Sequence, residues 1–399
     1  MHRPIIRSPH RILLSVPHMG GTEFQYVKEA FDSNWLSTVG PNLTELEKGF
    51  HSLVGRHAVA LASGTAGLHL ALRMVGVRPG DEVVTQSLTF VASANPILYE
   101  HARPILIDSD RDTWNLDPEL LGQFLARRAR DNRLPKAVIA VHLFGQPSAI
   151  REIVDLCGRY GVALIEDAAE SLGSRYQGGH PGTFGDVGVF SFNGNKMITG
   201  TTGGMLVTRD AALAAQARHW STQARDPDPT GINNYIHTET GYNYRMSNVV
   251  AGIVRGQLEV LPLRVQQRRA IFDRYREAFA GLPGLEPQPD LSGATSGPGP
   301  DGMPANATFH SRWLSCFLVD PDRFGMSAPD LIRRLDQANV EARPVWRPMH
   351  VQPLFANAER IGGAIAEDLN NRGICLPSSS SLSEADQQFV IEAVRAAVR

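Results

Sequence analysis

The stretch AVIAVHLFGQPSAIREIVDLCGRYGVALIEDAAE, residues 137–170, decides how this chain folds. It holds two short apolar runs, Ala137–His142 and Val162–Glu166, separated by an amphipathic segment of helical length, Ala149–Tyr160. Short β-branched runs spaced by helices read as buried strands of an α/β layer. The alternation continues on both sides. Further strands are expected at Ala58–Ala62, Glu82–Thr85, Pro104–Asp108, Val187–Phe192 and Met205–Thr208, and further helices at Gly67–Val75, Val91–Tyr99 and Ala211–Ser221. Strands that are apolar throughout, rather than alternating, mean a mixed, mostly parallel sheet covered on both faces. In such a sheet, ligands gather at the carboxyl ends of the strands.

Beyond this layer a helical pattern runs from Ser247 to about Gly281, interrupted near Pro262. Residues Pro287–Ala307 are rich in Gly, Pro, Ser and Asp and read as an exposed loop. A strand at Trp313–Val319 and helices at Pro329–Ala338 and Glu384–Val398 complete a smaller α/β domain. The expected division is a large domain of residues 1–255 and a small one of residues 256–399, which suits a chain of 399 residues. Lys plus Arg number 39 against 41 Asp plus Glu, so there is no basic footprint for nucleic acid and no polybasic membrane anchor. Cys157, Cys316 and Cys375 form no CxxC pair and fit a reducing compartment; no metal site is expected. With no signal-peptide pattern and no run of eighteen apolar residues, the expected location is the cytoplasm.

Four segments carry the chemistry. Ser63-Gly64-Thr65-Ala66 follows a buried strand and opens a helix; small residues and free N–H groups there make a phosphate cradle, or a plain helix cap. Ile165-Glu166-Asp167 ends an apolar strand, where a carboxylate needs a cationic partner such as a protonated ring nitrogen; a metal or a helix cap are the alternatives. In Val189-Phe190-Ser191-Phe192-Asn193-Gly194-Asn195-Lys196, a lysine leaves a buried strand into a Gly- and Thr-rich turn. Lysine can form an imine with an aldehyde, and burial favours its nucleophilic form; the alternative is an ammonium reaching solvent. Gly241-Tyr242-Asn243-Tyr244-Arg245-Met246-Ser247-Asn248 is dense in hydrogen-bonding groups just before a long helix, and suits an interface as well as a site.

Taken in order, SGTAGLHLAL, SLTFVASANPI, IEDAAESLGS, FGDVGVFSFNGNK and GYNYRMSN resemble the DegT/DnrJ/EryC1/StrS family of sugar aminotransferases. PHMGG, STQAR, GYNYRMSN, RWL, ARPVW and GICLPS resemble its branch acting on UDP-linked 4-keto-6-deoxy-N-acetylhexosamines, the bacillosamine-type enzymes. The resemblance runs from about residue 13 to the C-terminus. It implies a pyridoxal phosphate enzyme of aminotransferase fold type I, with Lys196 as the Schiff-base lysine and Asp167 beside the pyridine nitrogen. It places Glu170 near the ring hydroxyl, Phe90 against the ring face, and Gly64, Thr65, Ser191 and a second subunit's Asn243 around the phosphate. A homodimer with shared sites follows.

Under that reading L-glutamate donates an amino group and a nucleotide-linked keto sugar accepts it. Trp35, His180, Arg225, His310, Trp313 and Arg343 are the expected sugar-nucleotide contacts, Arg gripping a diphosphate or carboxylate bidentately. One departure is Thr201-Thr202-Gly203-Gly204, where many members carry a Glu; this bears on substrate more than on chemistry. Relatives that dehydrate sugars have His in place of the lysine, so Lys196 argues against that activity. A lyase, or a non-catalytic protein on the same scaffold, is the rival reading. A dinucleotide-dependent dehydrogenase is weak, since no G-x-G-x-x-G follows the first strand.

Overall fold

Twelve strands form two sheets in the computed structural model, which describes residues 5–232, 234–291 and 308–398. In chain order they are β1 (His57–Leu61), β2 (Glu82–Gln86), β3 (Arg103–Ile107), β4 (Ala137–Val141), β5 (Ala163–Asp167), β6 (Val187–Ser191), β7 (Gly204–Thr208), β8 (Leu285–Pro287), β9 (Ser315–Val319), β10 (Arg343–Pro344), β11 (Glu359–Ile361) and β12 (Gly373–Leu376). The larger sheet has the order β1-β7-β6-β5-β4-β2-β3-β11, and the smaller β10-β12-β9-β8. In the large sheet β7 alone runs against its neighbours; all its other pairings are parallel. The carboxyl ends of β1, β2, β4, β5 and β6 therefore open on one edge.

Strand side chains alternate between two apolar cores. From β4, Ala137 and Ile139 pack with the helices Gly64–Met74 and Ala211–Ser221. Val138 and Ala140 pack with the helices Pro118–Arg130 and Ile150–Tyr160 on the opposite face. Every residue of β2 and β4 is buried, as strands covered on both sides require. A third core joins β1, β6 and β7 to the helices Pro41–Val54 and Asn248–Glu259.

The expected elements are found with three informative shifts. The helix expected from Gly67 begins at Gly64, because Ser63 Oγ accepts from Ala66 N and caps it there. The expected helix Val91–Tyr99 is a 3₁₀ turn, Val91–Ser93, followed by the helix Asn95–Tyr99; Pro96 lacks the N–H that would continue one helix through it. The long pattern from Ser247 is two helices, Asn248–Glu259 and Leu261–Phe279, divided ahead of Pro262. The helices Glu23–Asp32, Pro41–Val54, Pro118–Arg130 and Ala364–Arg372 and the strands β8, β10, β11 and β12 are additions. Most of the expected loop Pro287–Ala307 lies outside the described residues; Pro287 itself ends β8.

The small sheet packs against the helices Leu261–Phe279, Ala328–Gln337 and Glu384–Arg395 around Phe272, Tyr275, Phe317 and Val390. After β10 the chain returns to the large sheet, where β11 extends β3 in parallel. Asp108, just past β3, fixes this return by accepting from the backbone N–H groups of Gly363, Ile365 and Ala366. Truncating a core side chain such as Phe272 to Ala costs ~3–5 kcal/mol.

Candidate active site

Strand parity assigns different work to two neighbouring acids at the end of β5. Glu166 is fully buried, accepts from the backbone N–H groups of Gly182, Phe184 and Gly185, and receives the Nε2–H of His142 at 2.9 Å. His142 Nδ1 in turn accepts from Ser148 N, which sets the tautomer. Glu166 is thus committed to the 182–185 turn. Asp167 faces the other way, toward the site edge. Its Oδ2 accepts from Ser93 Oγ at 2.7 Å and its Oδ1 from Ala169 N at 3.1 Å. Its backbone carbonyl accepts from His142 N, pinning the strand end.

Lys196 ends the turn that follows β6. Its Nζ lies 3.3 Å from Glu170 Oε1 and 4.1 Å from the centroid of the Trp313 indole. Such a cation–π contact contributes about 0.5–2 kcal/mol. Burial pushes the Glu170 carboxyl above its ordinary range, and the Lys196 charge partly opposes this. Glu170 also accepts from Phe144 N at 2.8 Å. Phe144 holds a left-handed φ of 56°, a conformation that costs about 1–3 kcal/mol in a non-glycine residue. The strain aims its N–H at Glu170. Gly145 beside it takes φ 100°, and a Cβ there would come within 2.6 Å of Ser311 Oγ and 3.0 Å of Arg312 N, so the 311–313 loop closes over this turn.

Beneath the lysine, Trp313 Nε1 donates to Asn195 O at 2.7 Å. Arg268, fully buried, donates to the carbonyls of Trp313 and Lys196 and to Ser15 Oγ. Desolvation pushes this guanidinium down to about 9. Rings line the wall in succession: Trp313 stacks on Phe144, Phe144 on Trp346, and Trp346 meets Phe90 at 5.2 Å between centroids. Phe90 is 47% exposed and forms the open end.

At the end of β1, Gly64 and Thr65 open an eleven-residue helix whose first backbone bond runs from Gly67 N to Ser63 O. The N–H groups before it point out of the helix, where the macrodipole favours an anion. A Cβ on Gly64 would stand 3.2 Å from Ser191 Cβ and 3.5 Å from its Oγ, so a side chain would fill the space between them. Gly64, Thr65 and Ser191 form one cradle. Asn243 is exposed on the segment that pairs with the end of β1 through Ala62 N and Tyr244 O at 2.7 Å.

The expected sugar-nucleotide contacts divide. Trp313 lies at the site, 1% exposed, as the floor under Lys196. His310 requires correction: it is wholly buried, its Nδ1 accepts from Arg312 N and its Nε2 meets Gln288 Oε1, so its ring holds the chain and is not presented to solvent. His180 is bonded to Arg175 through Nδ1, and burial with the neighbouring guanidinium pushes it down to about 3. Arg343 is paired with Glu341 at 2.6 Å on the edge strand β10. Trp35 is 48% exposed after the first helix, and Arg225 stacks 4.2 Å over Tyr235. Lys196 Nζ itself is held between Glu170 and Trp313. Ser93, Phe144, Trp346 and Arg268 are site residues that sequence reasoning missed. Ser93 and Trp346 lie within quoted motifs, SLTFVASANPI and ARPVW, where nothing in the residue type distinguished them.

The sequence profile of the DegT/DnrJ/EryC1/StrS aminotransferase family matches residues 17–395. The chain is 48% identical to the putative pyridoxal phosphate-dependent aminotransferase EpsN of Bacillus subtilis (strain 168), covering 96% of this chain and 94% of that protein. It is 36% identical to a GDP-perosamine synthase of Caulobacter vibrioides, covering 96% and 97%. Among solved structures, the aminotransferase TlmJ from Streptoalloteichus hindustanus superposes with a TM-score of 0.85 at 31% identity, over 96% of this chain and 98% of that one.

Proposed function

The chain belongs to the DegT/DnrJ/EryC1/StrS aminotransferase family, and on that premise we propose that it moves an amino group from L-glutamate to C4 of a UDP-linked 2-acetamido-2,6-dideoxy-4-ketohexose. It is a pyridoxal phosphate-dependent sugar aminotransferase. The observation that carries the reading is the convergence of Lys196, Asp167 and the Gly64–Ser191 cradle on one edge of the sheet.

These residues fit the cofactor. The cradle between Gly64 and Ser191 is kept open by the missing Cβ and offers outward N–H groups and a hydroxyl to a phosphate. Asp167 supplies a buried carboxylate for a ring nitrogen. When bound, pyridoxal phosphate supplies an aldehyde carbon that takes up nitrogen and a ring that draws electrons from it. Lys196 is the residue that would hold that carbon through Nζ, and its free amine would be the base that takes up and returns the proton of the donor Cα. Asp167 keeps the ring-nitrogen proton in place. Glu170 stands against Nζ, where the resemblance puts the ring hydroxyl. Phe90, backed by Trp346, covers one face and limits tilt. Arg225, Trp35, His180 and Arg343 are kept as proposed sugar-nucleotide contacts.

We propose that the chain divides into residues 1–255 and 256–399, with β11 of the second part returning to the large sheet. The exposed Phe24, Phe31, Trp35 and Val39 and the exposed Asn243 support a homodimer in which each chain completes its partner's phosphate site. Among the described residues no helix is long and apolar enough to cross a membrane. The cytoplasm is the location we propose.

The likeness to the UDP branch rests on PHMGG, STQAR, ARPVW and GICLPS. A second reading, a GDP-linked 4-keto-6-deoxyhexose, is favoured by the 36% identity to a GDP-perosamine synthase. The test supplies L-glutamate with UDP-, GDP- and TDP-linked 4-keto sugars and follows 2-oxoglutarate release and product mass. Turnover confined to the UDP N-acetyl sugar is expected; preference for the GDP sugar would replace the first reading with the second.

A further inference from the structure

The loop between β2 and the helix Asn95–Tyr99 delivers two different things to the site. Phe90 faces outward, while Thr89 and Ser93 face inward and are 1% and 2% exposed. Thr89 Oγ1 and Ser93 Oγ are 2.8 Å apart, and Ser93 Oγ is 2.7 Å from Asp167 Oδ2. A carboxylate only accepts, so the single Ser93 proton goes to Asp167, and Thr89 must be the donor in the first bond. The chain Thr89 to Ser93 to Asp167 therefore has one direction. From the other side Ala169 N holds Oδ1. With a donor on each oxygen the carboxylate plane cannot turn about its Cβ–Cγ bond without losing a hydrogen bond in a dry setting, where an unmade bond is expensive.

We propose that Ser93, with Thr89 behind it, is a positioning residue that fixes the Asp167 carboxylate toward the ring nitrogen of the cofactor. This rests on the pyridoxal phosphate reading above. It makes one loop responsible for both constraints on the ring: Phe90 sets its tilt from the face, and Ser93 sets the acid that meets its edge. The 3₁₀ turn Val91–Ser93 is what brings the two side chains, three residues apart, to these separate duties. Ser93 touches neither substrate nor cofactor and acts through Asp167. A hydroxyl present merely to satisfy a buried loop would affect stability and leave the ring nitrogen indifferent.

The experiment compares wild type, Ser93→Ala, Thr89→Val and the conservative Ser93→Thr as holoenzymes. It uses pyridoxal phosphate and the 1-deaza analogue, whose ring carries carbon in place of nitrogen. Dissociation constants come from absorbance titration, and the L-glutamate half-reaction gives kcat and KM. With the natural cofactor, Ser93→Ala is expected to bind about fivefold more weakly and to react about tenfold more slowly, with KM for glutamate within about twofold. Thr89→Val shows a smaller loss in the same direction, and Ser93→Thr restores most of the rate. With the deaza analogue, Ser93→Ala and wild type bind equally, because no ring nitrogen is left to meet Asp167. Equal losses with both cofactors, or a Ser93→Ala matching wild type with the natural one, would overturn the inference and leave the enzyme reading standing. A wild type that bound neither cofactor would overturn the reading, and this inference with it.

Discussion

The inner and outer halves of the site are built on different terms. The inner half, around Asp167, Glu166, His142, Ser93 and Glu170, is buried, and the carboxylates Asp167, Glu166 and Glu170 each have hydrogen-bond partners within this chain. The outer half, as proposed, draws on Phe90, Trp35, Arg225 and Asn243, which are exposed; Phe90 packs against Trp346 and Arg225 over Tyr235. The contrast teaches where chemistry is fixed and where choice is made. Electron withdrawal and proton transfer require groups held still in a dry place before substrate arrives. Recognition of a large, charged nucleotide sugar requires surface, and in this family reading a second chain to complete it.

Asp167→Asn keeps the size and most hydrogen bonds of the side chain but removes its charge. We expect kcat for the glutamate half-reaction to fall about 10²–10⁴-fold, with the melting temperature little changed. A loss under about tenfold in stopped-flow absorbance would show that the inner half does not drive the reaction. The outer half is probed by Asn243→Ala, which is expected to weaken pyridoxal phosphate binding about three- to tenfold. Mixing it with Lys196→Ala subunits sharpens the point. A mixed dimer has one intact site if Asn243 serves the partner, so titration of the mixture should show a class of sites binding pyridoxal phosphate as tightly as wild type, absent from Asn243→Ala alone; no tight class of sites would place Asn243 in its own chain's site.

A smaller effect concerns His180, which burial and Arg175 push down to about 3 from an ordinary value of 6.5. A group lowered on folding contributes stability above its unfolded value and loses it as pH falls. Between about pH 6 and 4 the unfolded chain gains a proton that the folded chain refuses, steepening acid unfolding by up to about 1.4 kcal/mol per pH unit. Urea titrations of His180→Asn should show a shallower loss of stability across that window and little change in slope above pH 7. An unchanged acid slope would mean that His180 is already protonated in the fold.

The sequence was most readable where local chemistry and tertiary fate agree. Asp210 caps an Ala-rich segment, and the helix Ala211–Ser221 falls where its pattern puts it. Asp117-Pro118 is as clear a start signal for Pro118–Arg130, but Gly122 and the run of Arg weakened the helical pattern behind it. The three-residue β11 is a strand only because it lies along β3, some 250 residues earlier in the chain, and no local signal announces that. Within the site, Lys196 was legible because a lysine leaving a buried strand has few bland explanations. The separate fates of Glu166 and Asp167 depend on strand parity, which a one-residue error in the strand boundary reverses. Ser93 was hidden because a serine in a loop is the commonest of turn residues. His310 misled for the opposite reason: its type suits a substrate contact, while its burial is decided by Gln288 and by the backbone of Arg312 folding over it.

The role of Lys196 as the cofactor lysine is tested by absorbance spectra of wild type and Lys196→Ala with added pyridoxal phosphate, before and after L-glutamate. The account predicts a wild-type band near about 410–430 nm that moves to about 330 nm on adding glutamate, and no such band in Lys196→Ala. A band in both proteins that responds alike to glutamate would show that Lys196 does not hold the cofactor, and would contradict the account.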